Sequence, residues 1–519
     1  MNRKTERLSA VALVLTGLTG CASLDPAHDY HRAAKQVEVA TGVDDLYQPE
    51  LEADIQQRIG AMLEDGLSAE EAVRICLLNN PRIQAALFQI GVSRADFVQS
   101  GLLSNPSLSF APRWPDGGGL SNLQLGMAQN IAELWQLPFR RRAATRDLKR
   151  VVLDTAREAS LLGLRTRAAF YRAQRADELA RIAADNVRVT QQLVELTIGR
   201  RDAGAGNETD VTMAKAQHAD ARLRAQEADL QAIEARAELA ELLGLTQSAT
   251  HLDLIDDTTT PSPLVVTGEA VIESALAQRL DLKAARMAKE AATARVAFEK
   301  SRFIRSLEIG VTAERNAQWD KSRGGGLSAS RTLDIDQDGN VTRNTSIGRE
   351  PREPQRSEWV FGPTFTIEAP IFDQNQAQIA RAEFMERQAS KLVEAIEREV
   401  AQQARIAAAR LQTMTANVRL AREELTPLRE RALSLSEDGY RAGRTAFLSV
   451  LEAQRALLDA RARLAEAIQN HATAIVEVER VAGCPITQIG ATKSPTTACG
   501  DGLPSHFDTA DGSSVENAP

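Results

Sequence analysis

The sequence predicts a mainly helical fold with a small β part, built from two related halves. Three observations support it: aromatic residues are only 4% of the 519, long stretches lack proline, and segments of alternating polarity occur in both halves. Compact cores usually depend on aromatic side chains for buried area, so their scarcity favours long helices. The formal net charge of -8 provides no basic surface, which argues against nucleic-acid binding.

The first residues resemble a bacterial lipoprotein signal peptide. Arg3 and Lys4 precede a short apolar stretch that ends in Leu-Thr-Gly-Cys at positions 18–21. This tetrapeptide is similar to a lipobox, in which the Cys is lipidated and becomes the new N terminus. We therefore expect a signal peptide at 1–20, a lipid on Cys21 and a periplasmic segment at 21–66. Ala22 in place of Asp favours the outer membrane, and a secretory signal with a coincidental Cys is the alternative.

Two pairs of segments repeat along the chain. Residues 67–87 resemble 266–286, and residues 203–217 resemble 442–454, since both of the latter begin with Ala-Gly and end with Ala-Gln. The first copy of that second pair has two extra residues, which we place in the turn. The repeats predict a first half at 67–245, a linker at 246–265, a second half at 266–484 and a flexible tail at 485–519. A period near 200 residues is too long for a solenoid.

Segments of alternating polarity lie near residues 105–134, 306–316 and 357–370. A period of two puts apolar side chains on one face and small or polar ones on the other. Four such segments of about ten residues match transmembrane strands around a wet interior. A soluble, half-buried sheet is the alternative. We assign to the wet side Glu308, Thr312, Glu314, Thr364, Thr366 and Glu368.

Four strands are too few to close a membrane barrel, for which eight is the usual minimum. Two chains would supply eight strands with an interior filled by side chains, and three would supply twelve with room for a pore. An insert at 317–356 separates the second pair of strands. Its segment 334–340 is similar to the start of a calcium-binding loop, but Thr345 replaces the required Glu, so a hairpin turn at Asp338-Gly339 is favoured.

The helical segments are long. Residues 138–204 and 370–439 would each extend roughly 100 Å as helix, and the returning stretch 207–244 about 57 Å. The helices before the strands, at 68–101 and 269–305, would add about 52 Å each. A returning helix and a short helix, stacked end to end, have about the same length as one long helix. The lengths therefore predict a two-ended bundle about 100 Å long.

The residues outside these elements indicate no catalytic chemistry. The nucleotide-binding, metalloprotease and hydrolase motifs are absent from the sequence, and no Cys or His spacing suits zinc, so we predict no enzyme, no metal and no cofactor. Cys484 and Cys499 flank a short Pro- and Thr-rich loop and are a possible disulfide in an oxidising compartment. An odd number of remaining cysteines prevents complete pairing within one chain.

The lipobox, the duplicated halves and the Ala-Gly…Ala-Gln turns together resemble the outer-membrane factor family, the TolC-type channel-tunnels. Residues 368–383, EAPIFDQNQAQIARAE, are similar to the family's strand-to-helix passage, where a proline ends the strand. The first copy at 131–144 keeps Leu137-Pro138-Phe139 but has arginines in place of the usual Asp and Gly. The resemblance covers about residues 65–484.

The resemblance implies a homotrimer with a twelve-stranded barrel in the outer membrane and an α-helical coiled-coil tunnel in the periplasm. It implies the exit duct of a tripartite efflux pump, with a periplasmic adaptor protein and an inner-membrane transporter of the RND or ABC type as partners. An exit channel for type I protein secretion is the alternative. A periplasmic adaptor or a non-conducting lipoprotein scaffold is a further one, although an adaptor would need a lipoyl-type β domain.

The resemblance also implies functional positions at the helical turns. Adaptor contacts would fall on Asp202, Gly204, Gly206, Tyr440, Gly443 and Arg444. Acidic residues just beyond the second turn would ring a constriction. Glu452 matches one acidic position, whereas Ser449 replaces the other. Asp210 in the first half is the next candidate for the constriction. The exported substrate and the identity of the pump are not encoded in any motif of the sequence.

Overall fold

The computed structural model describes residues 24–49, 52–64, 66–114, 121–245, 252–255, 266–318, 327–335, 341–349 and 356–490. The predicted signal peptide, Cys21, Cys499, the turn at 338–339 and the tail beyond 490 lie outside the described residues. The chain divides into two compact units. The sheet unit contains Ile90–Val151 and Ala284–Val393, and the helical unit contains Ala27–Gln89, Val152–Lys283 and the residues from 394 onward.

The elements follow one another in the order that the duplication predicts. The N-terminal segment contains α1 (Ala27–Thr41) and α2 (Glu52–Glu64). The first half contains α3 (Ala69–Asn79), α4 (Pro81–Ser100), β1 (Ser107–Arg113), β2 (Asn122–Asn130), α5 (Ala132–Asp202) and α6 (Glu208–Leu243). The second half contains α7 (Gly268–Gln278), α8 (Leu280–Ser301), β3 (Leu307–Gln318), β4 (Leu327–Ile335), β5 (Val341–Arg349), β6 (Arg356–Ile367), α9 (Gln376–Leu420), α10 (Thr426–Arg441) and α11 (Phe447–Ala482). The mainly helical fold with duplicated helix–hairpin–helix halves is thereby confirmed.

The sheet unit holds one antiparallel sheet with the strand order β1-β2-β3-β6. The hairpin of the first half and the strand pair of the second half are joined through β2 and β3. Strands β4 and β5 form a separate antiparallel pair, so the insert between β3 and β6 is itself a hairpin. Its connecting residues 336–340, where the turn is predicted, lie outside the described residues.

Each predicted helix before the strands is divided in two. Helices α3 and α7 both have 11 residues, and each is followed by one extended residue, Asn80 or Arg279, before the next helix begins. The undivided helices predicted at 68–101 and 269–305 were therefore wrong. At Asn80 the cause is Pro81, because a proline disfavours helical dihedrals in the residue before it. At Arg279 the guanidinium instead donates to the side chains of Asp281 and Gln403.

The long helices begin differently in the two halves. Helix α5 has 71 residues and starts at Ala132, so Pro138 lies inside it rather than before it. In the second half, Pro370 does precede the helix, and α9 starts at Gln376. Asn375, immediately before α9, has a positive φ of 64°, and its side chain donates to the backbone oxygen of Glu299 at 2.8 Å. The strand-to-helix passage of the second half is thus held by a buried amide, and the first half has a direct connection.

The returning helices α6 and α11 both have 36 residues. Both end at a glycine in the left-handed conformation, Gly244 and Gly483, which provides the usual C-terminal cap. Their starting residues differ, since Asn207 caps α6 with its side chain and Ala446 cannot cap α11.

A short π-helical segment, Ala421–Leu425, interrupts the helical path between α9 and α10. Pro427 lies just beyond it in the first turn of α10. A proline inside a helix removes one backbone donor and crowds the preceding turn. The wider π turn accommodates this change, and Thr426 donates its hydroxyl to the oxygen of Ala421 at 2.9 Å.

The core of the helical unit is made of small and branched residues. One cluster joins α7, α9 and α11 through Val271, Ala404, Leu411, Val478 and Val481. Within this unit Arg167 pairs with Glu479 at 2.7 Å and also donates to the backbone oxygen of Thr41 at the end of α1, at 3.2 Å. No described helix combines the length and apolar composition needed to span a membrane.

Candidate functional site

The four-stranded sheet has two chemically distinct faces. Directly opposed residues of antiparallel strands lie on the same face, and the pairing is continuous across all four strands. One face is polar or small in almost every position and is interrupted by Val360. Its members include Ser107, Ser109, Asn122, Gln124, Gly126, Asn130, Glu308, Gly310, Thr312, Glu314, Gly362, Thr364 and Thr366. We call this the polar face.

Five of the six residues predicted to face the wet side lie within the paired strands on the polar face. Glu308 lies opposite Thr366, and Thr312 opposite Gly362, while Thr364 and Glu314 continue the same alternation. The sixth, Glu368, follows the end of β6, and its backbone amide donates to the oxygen of Ser306 at 3.3 Å. The sheet therefore collects these side chains into one hydroxyl- and carboxylate-bearing surface.

The opposite face of the sheet is mostly apolar, apart from Gln129, Arg315 and Ser357, and many of its apolar side chains are exposed in the single chain. Phe110, Phe361 and Phe365 are 69–70% exposed, and Val311 is 57% exposed. An exposed apolar surface of this kind marks contact with lipid or with another protein. Trp359 stacks on Phe361 with ring centroids 6.1 Å apart, so the aromatic residues on this face form a local group.

Glycines allow the hydroxyl groups of the polar face to approach neighbouring strands. A Cβ at Gly126 would lie 2.4 Å from the Oγ atom of Ser109. A Cβ at Gly310 would lie 2.7 Å from the Oγ1 atom of Thr364 and equally close to the backbone oxygen of Met127. Any side chain at these two positions would displace the hydroxyl groups beside it.

The second candidate region is formed by two helical turns in the helical unit. Turn 1 (residues 203–207) joins α5 to α6, and turn 2 (residues 442–446) joins α10 to α11, with five residues in each. Gly204 and Gly443 have positive φ values of 72° and 69°. Their backbone amides make equivalent hydrogen bonds: the Gly204 amide donates to the backbone oxygen of Arg201 at 2.9 Å, and the Gly443 amide donates to that of Tyr440 at 3.0 Å.

The two extra residues predicted in the first turn were wrong, because the turns are equal in length. When the two turns are superposed, the Ala-Gln pair of the first half lies two positions farther along its returning helix than the pair of the second half does. Both glutamines are buried and hydrogen-bonded: Gln454 donates to Asn186 at 3.0 Å, and Gln217 accepts from Arg455 at 2.7 Å. Their positions follow packing between helices rather than the geometry of the turn.

Arg200 connects the two turns. Its guanidinium donates to the backbone oxygens of Tyr440 and, at 3.1 Å, of Ala205. The same group lies over the Tyr440 ring, 4.4 Å from its centroid. Tyr440 in turn contacts the Phe447 ring and a cluster that includes Leu193 and Val450. We call the group of Arg200, Tyr440 and Phe447 the tip cluster.

The charge around Tyr440 changes its titration. Burial raises the pKa of the Tyr440 phenol, and the nearby Asp210 carboxylate raises it further, whereas Arg200 acts in the opposite direction. The Tyr440 hydroxyl is buried and forms no aligned hydrogen bond. Asp210 itself is half-buried near the start of α6, where its amide donates to the capping Asn207 at 2.7 Å.

The two candidate acids for the constriction occupy different positions in the two halves. With the turns superposed, Asp210 corresponds to Ser449, and Glu452 corresponds to Met213. Glu452 is exposed on α11, one turn beyond Ser449. The structure therefore does not bring the two carboxylates to equivalent places, and each half supplies one acid at its own level along the helix.

The predicted docking residues separate into exposed and buried groups. Asp202, Gly204, Gly443 and Arg444 are exposed, and Gly206 is half-buried. Arg201 pairs with Asp202 at 2.8 Å and with Glu208 at 3.0 Å across turn 1. Tyr440 is only 4% exposed, so it supports the turns from inside. The sequence analysis missed Arg200, for which a basic residue in the last turn of a long helix was the available signal.

The two described cysteines, Cys76 and Cys484, are buried. Cys484 has no disulfide partner among the described residues and is 2% exposed, and burial raises the pKa of its thiol to about 11. Its predicted partner Cys499 lies outside the described residues, so the disulfide stays a prediction. Among the described residues no group of three or more His, Cys, Asp or Glu side chains is arranged to hold a metal ion.

Comparison with known proteins identifies the second half. The model of the family "Outer membrane efflux protein" matches residues 271–484. These residues are an outer membrane efflux protein domain. The family resemblance predicted from the sequence is thereby confirmed, and the domain contains the second strand pair, turn 2 and the whole of α11. No curated protein matches the chain by sequence.

Several solved outer-membrane channels share the fold. The CmeC outer membrane channel of Campylobacter jejuni is similar with a TM-score of 0.62 and 14% identity, over 81% of this chain and 86% of that one. The outer membrane protein VceC of Vibrio cholerae is similar with a TM-score of 0.59 and 16% identity, over 83% and 98%. The MtrE outer membrane channel of Neisseria gonorrhoeae, in its open state, has a TM-score of 0.54 and 17% identity, over 80% and 89%. The outer membrane efflux domain is thus part of a chain with the fold of these channels.

Proposed function

We propose that this protein is the outer-membrane exit channel of a tripartite efflux pump. The observation that carries the proposal is the two-faced sheet, with one continuous polar face and one exposed apolar face. Strands of a membrane barrel place apolar side chains toward lipid and polar ones toward a wet lumen. The polar face would line the lumen, and its glutamates make the lumen mildly attractive to cations.

Three copies of the chain would assemble the barrel. One chain contributes a sheet of four strands, which is half of the usual minimum for a closed membrane barrel. Three chains give twelve strands, enough for an aqueous channel rather than an interior filled with side chains. A lipid on Cys21 would add an anchor in the same membrane, placing the protein in the bacterial outer membrane with a long periplasmic part.

The turns of the helical unit would meet the other components of the pump. Asp202, at the end of α5 beside turn 1, and Arg444 in turn 2 are exposed charged residues, and the buried Tyr440 and Phe447 of the tip cluster support the turns. Such a rigid end with an exposed charged rim suits a periplasmic adaptor protein, and the inner-membrane transporter of the RND or ABC type would supply the substrate. Glu452 and Asp210 would narrow and charge the pore at this end. The protein acts as a conduit in this proposal and performs no enzymatic step.

Single-channel recording in a planar bilayer is the direct test, since neither an adaptor nor a non-conducting scaffold forms a pore. Discrete, long-lived conductance steps of the purified protein are expected. Cysteine labelling then tests the assignment of the faces: position 312 should react with a small hydrophilic maleimide in membranes, and position 311 should not. An absence of conductance would overturn the channel, and the reverse labelling pattern would overturn the assignment of lumen and lipid faces.

A further inference from the structure

The β4–β5 hairpin has two faces of different chemistry. The register pairs Ala329 with Ile347, Leu333 with Arg343 and Ile335 with Val341. One face therefore carries Ala329, Arg331, Leu333, Ile335, Val341, Arg343, Ile347 and one hydroxyl-bearing residue, Thr345, and we call it the apolar-arginine face. The other carries Ser330, Thr332, Asp334, Thr342, Asn344 and Ser346, and we call it the hydroxyl face.

The apolar-arginine face has no cover among the described residues. Leu333, Ile335 and Ile347 are 63–69% exposed, and every other described side chain of the hairpin is exposed as well. A two-stranded hairpin is marginally stable in water by itself. The segregation of its apolar residues to one side therefore points to a surface that this side contacts.

The charges on the hairpin indicate the chemistry of that surface. Arg331 and Arg343 lie among the apolar residues, while Asp334, the single acid of β4 and β5, lies on the hydroxyl face. Apolar side chains flanked by cations suit an anionic amphiphile, because long arginine side chains reach phosphate groups while their neighbours enter the headgroup boundary. A second copy of the same face would bring like charges together, which opposes self-association.

The place of the hairpin in the chain favours a membrane. It is inserted between β3 and β6, whose pairing runs to its end at Gln318 and Arg356. The adjoining sheet has an exposed apolar face with Val311 and Phe361. If that face contacts lipid, as the proposed function requires, the insert leaves the sheet at a border of the membrane.

We propose that the β4–β5 hairpin lies on the membrane surface, with its apolar-arginine face at the headgroup boundary and Arg331 and Arg343 paired with phosphates of anionic lipids. The hydroxyl face is then directed to water. This inference rests on the proposed function, because it requires the sheet to be in a membrane. It adds a lipid-recognition surface that is separate from the lumen and from the turns.

Two neighbouring positions provide a matched test in the full chain. Ile347→Cys and Ser346→Cys, each in a chain with Cys499→Ser, are labelled with an environment-sensitive fluorophore and reconstituted in vesicles. Vesicles of phosphatidylcholine alone are compared with vesicles containing phosphatidylglycerol. A lipid-attached quencher should act on the probe at 347, and aqueous iodide should act on the probe at 346.

A second pair of variants tests the arginines. Each arginine near an anionic surface favours binding by about fivefold. The double variant Arg331→Gln with Arg343→Gln should therefore reduce about 25-fold the ratio of membrane-bound to unbound hairpin in anionic vesicles, as measured by the probe at 347. Thr332→Gln with Thr342→Gln changes the hydroxyl face and should leave that preference unchanged.

Each other outcome overturns the inference. Iodide access at both positions would leave the hairpin in water. A probe at 347 that is shielded from both quenchers, in every lipid, would mean that protein covers this face. Conductance is recorded from the same preparations. Normal conductance without lipid quenching of the probe at 347 contradicts this inference alone, whereas absent conductance contradicts the proposed function.

Discussion

The guanidinium of Arg200 lies over the ring of Tyr440 and donates to the backbone oxygen of the same residue. These residues belong to different halves of the duplicated chain, since Arg200 lies in the last turn of α5 and Tyr440 in the last turn of α10. One side chain therefore fixes the relative position of turn 1 and turn 2. It does so through the ring and the carbonyl together, which lysine cannot reproduce because it lacks a planar fork.

Replacing Arg200 should loosen the tip. We expect Arg200→Ala to lower the free energy of unfolding by about 2 kcal/mol, because a buried carbonyl loses a charged donor. Arg188→Ala is the control, since Arg188 is on the same helix and only pairs with Asp185 with a side chain that is 66% exposed. Hydrogen exchange at the amides of Gly443 and Arg444 measures the local effect. Equal protection in the two variants would contradict the role assigned to Arg200.

Tyr440 should titrate above its ordinary pKa because of burial and then the Asp210 carboxylate. A raised pKa in the folded protein means that the neutral phenol is favoured there. The contribution of Tyr440 to stability is therefore complete below the unfolded pKa and is lost as the pH rises through the folded one. The difference in tyrosinate absorbance between wild type and Tyr440→Phe gives this titration. Asp210→Asn should reduce the shift, and an unchanged curve in that variant would exclude the carboxylate as a cause.

Two glycines near the turns should respond oppositely to alanine. A Cβ at Gly439 would lie 2.8 Å from the Cγ2 atom of Thr445, so Gly439→Ala should destabilise the protein by about 1–3 kcal/mol through overpacking. A Cβ at Gly199 would meet nothing within 4 Å, so Gly199→Ala should stabilise helix α5 by about 0.5–1 kcal/mol. Thermal unfolding midpoints of both variants check the pair, and a shift in the same direction would refute the packing at turn 2.

Glu452 should contribute to ion selectivity if it rings the pore. Three carboxylates brought together in a narrow passage attract cations, so Glu452→Gln should lower the cation preference and weaken block by divalent cations. Glu466→Gln is the matched control, because Glu466 is also exposed on α11. Reversal potentials in bilayers measure the preference. If Glu452→Gln behaves like its control, Asp210→Asn becomes the variant to record.

Loss of the lipid should leave the assembly intact. A single acylated group is a weak anchor compared with a membrane barrel. Cys21→Ser, expressed with a cleavable signal, is therefore expected to form trimers in the outer membrane, as measured by native electrophoresis of membrane extracts. Monomers in that variant would show that the anchor, and not the barrel, holds the protein in place.

The sequence predicted the periodic parts of this fold and missed the parts that depend on contacts between segments. Alternation placed Thr312 and Thr364 on one face because a strand has a fixed period of two. The ends of α6 were predictable from Asn207 and Gly244, which are local caps. Helix α5, by contrast, passes through Pro138, although a proline at the seventh residue of a helix removes one backbone hydrogen bond.

The candidate site was predictable to a similar extent. Gly204 and Gly443 stand out in the sequence because a left-handed turn favours glycine. Arg200 does not, because its importance arises from a tyrosine 240 positions later in the chain. The positions of Asp210 and Glu452 relative to each other could not be predicted either. Aligning the two halves on their Ala-Gln pairs introduces an error of two residues, because the turns have equal lengths and the buried glutamines do not lie at equivalent positions.

The register of the sheet constrains where the chain can gain or lose residues. Deleting one residue inside β3 would exchange the two faces for every following residue of that strand, unless a bulge absorbed the change. Glutamates would then face the apolar side, and Val311 would leave it. The chain between Gln318 and Arg356 lies outside the β3–β6 pairing, and its β4–β5 hairpin has a register of its own. An insertion at 319–326 or at 350–355 would shift neither register, so a peptide tag placed there should be displayed without disturbing the sheet.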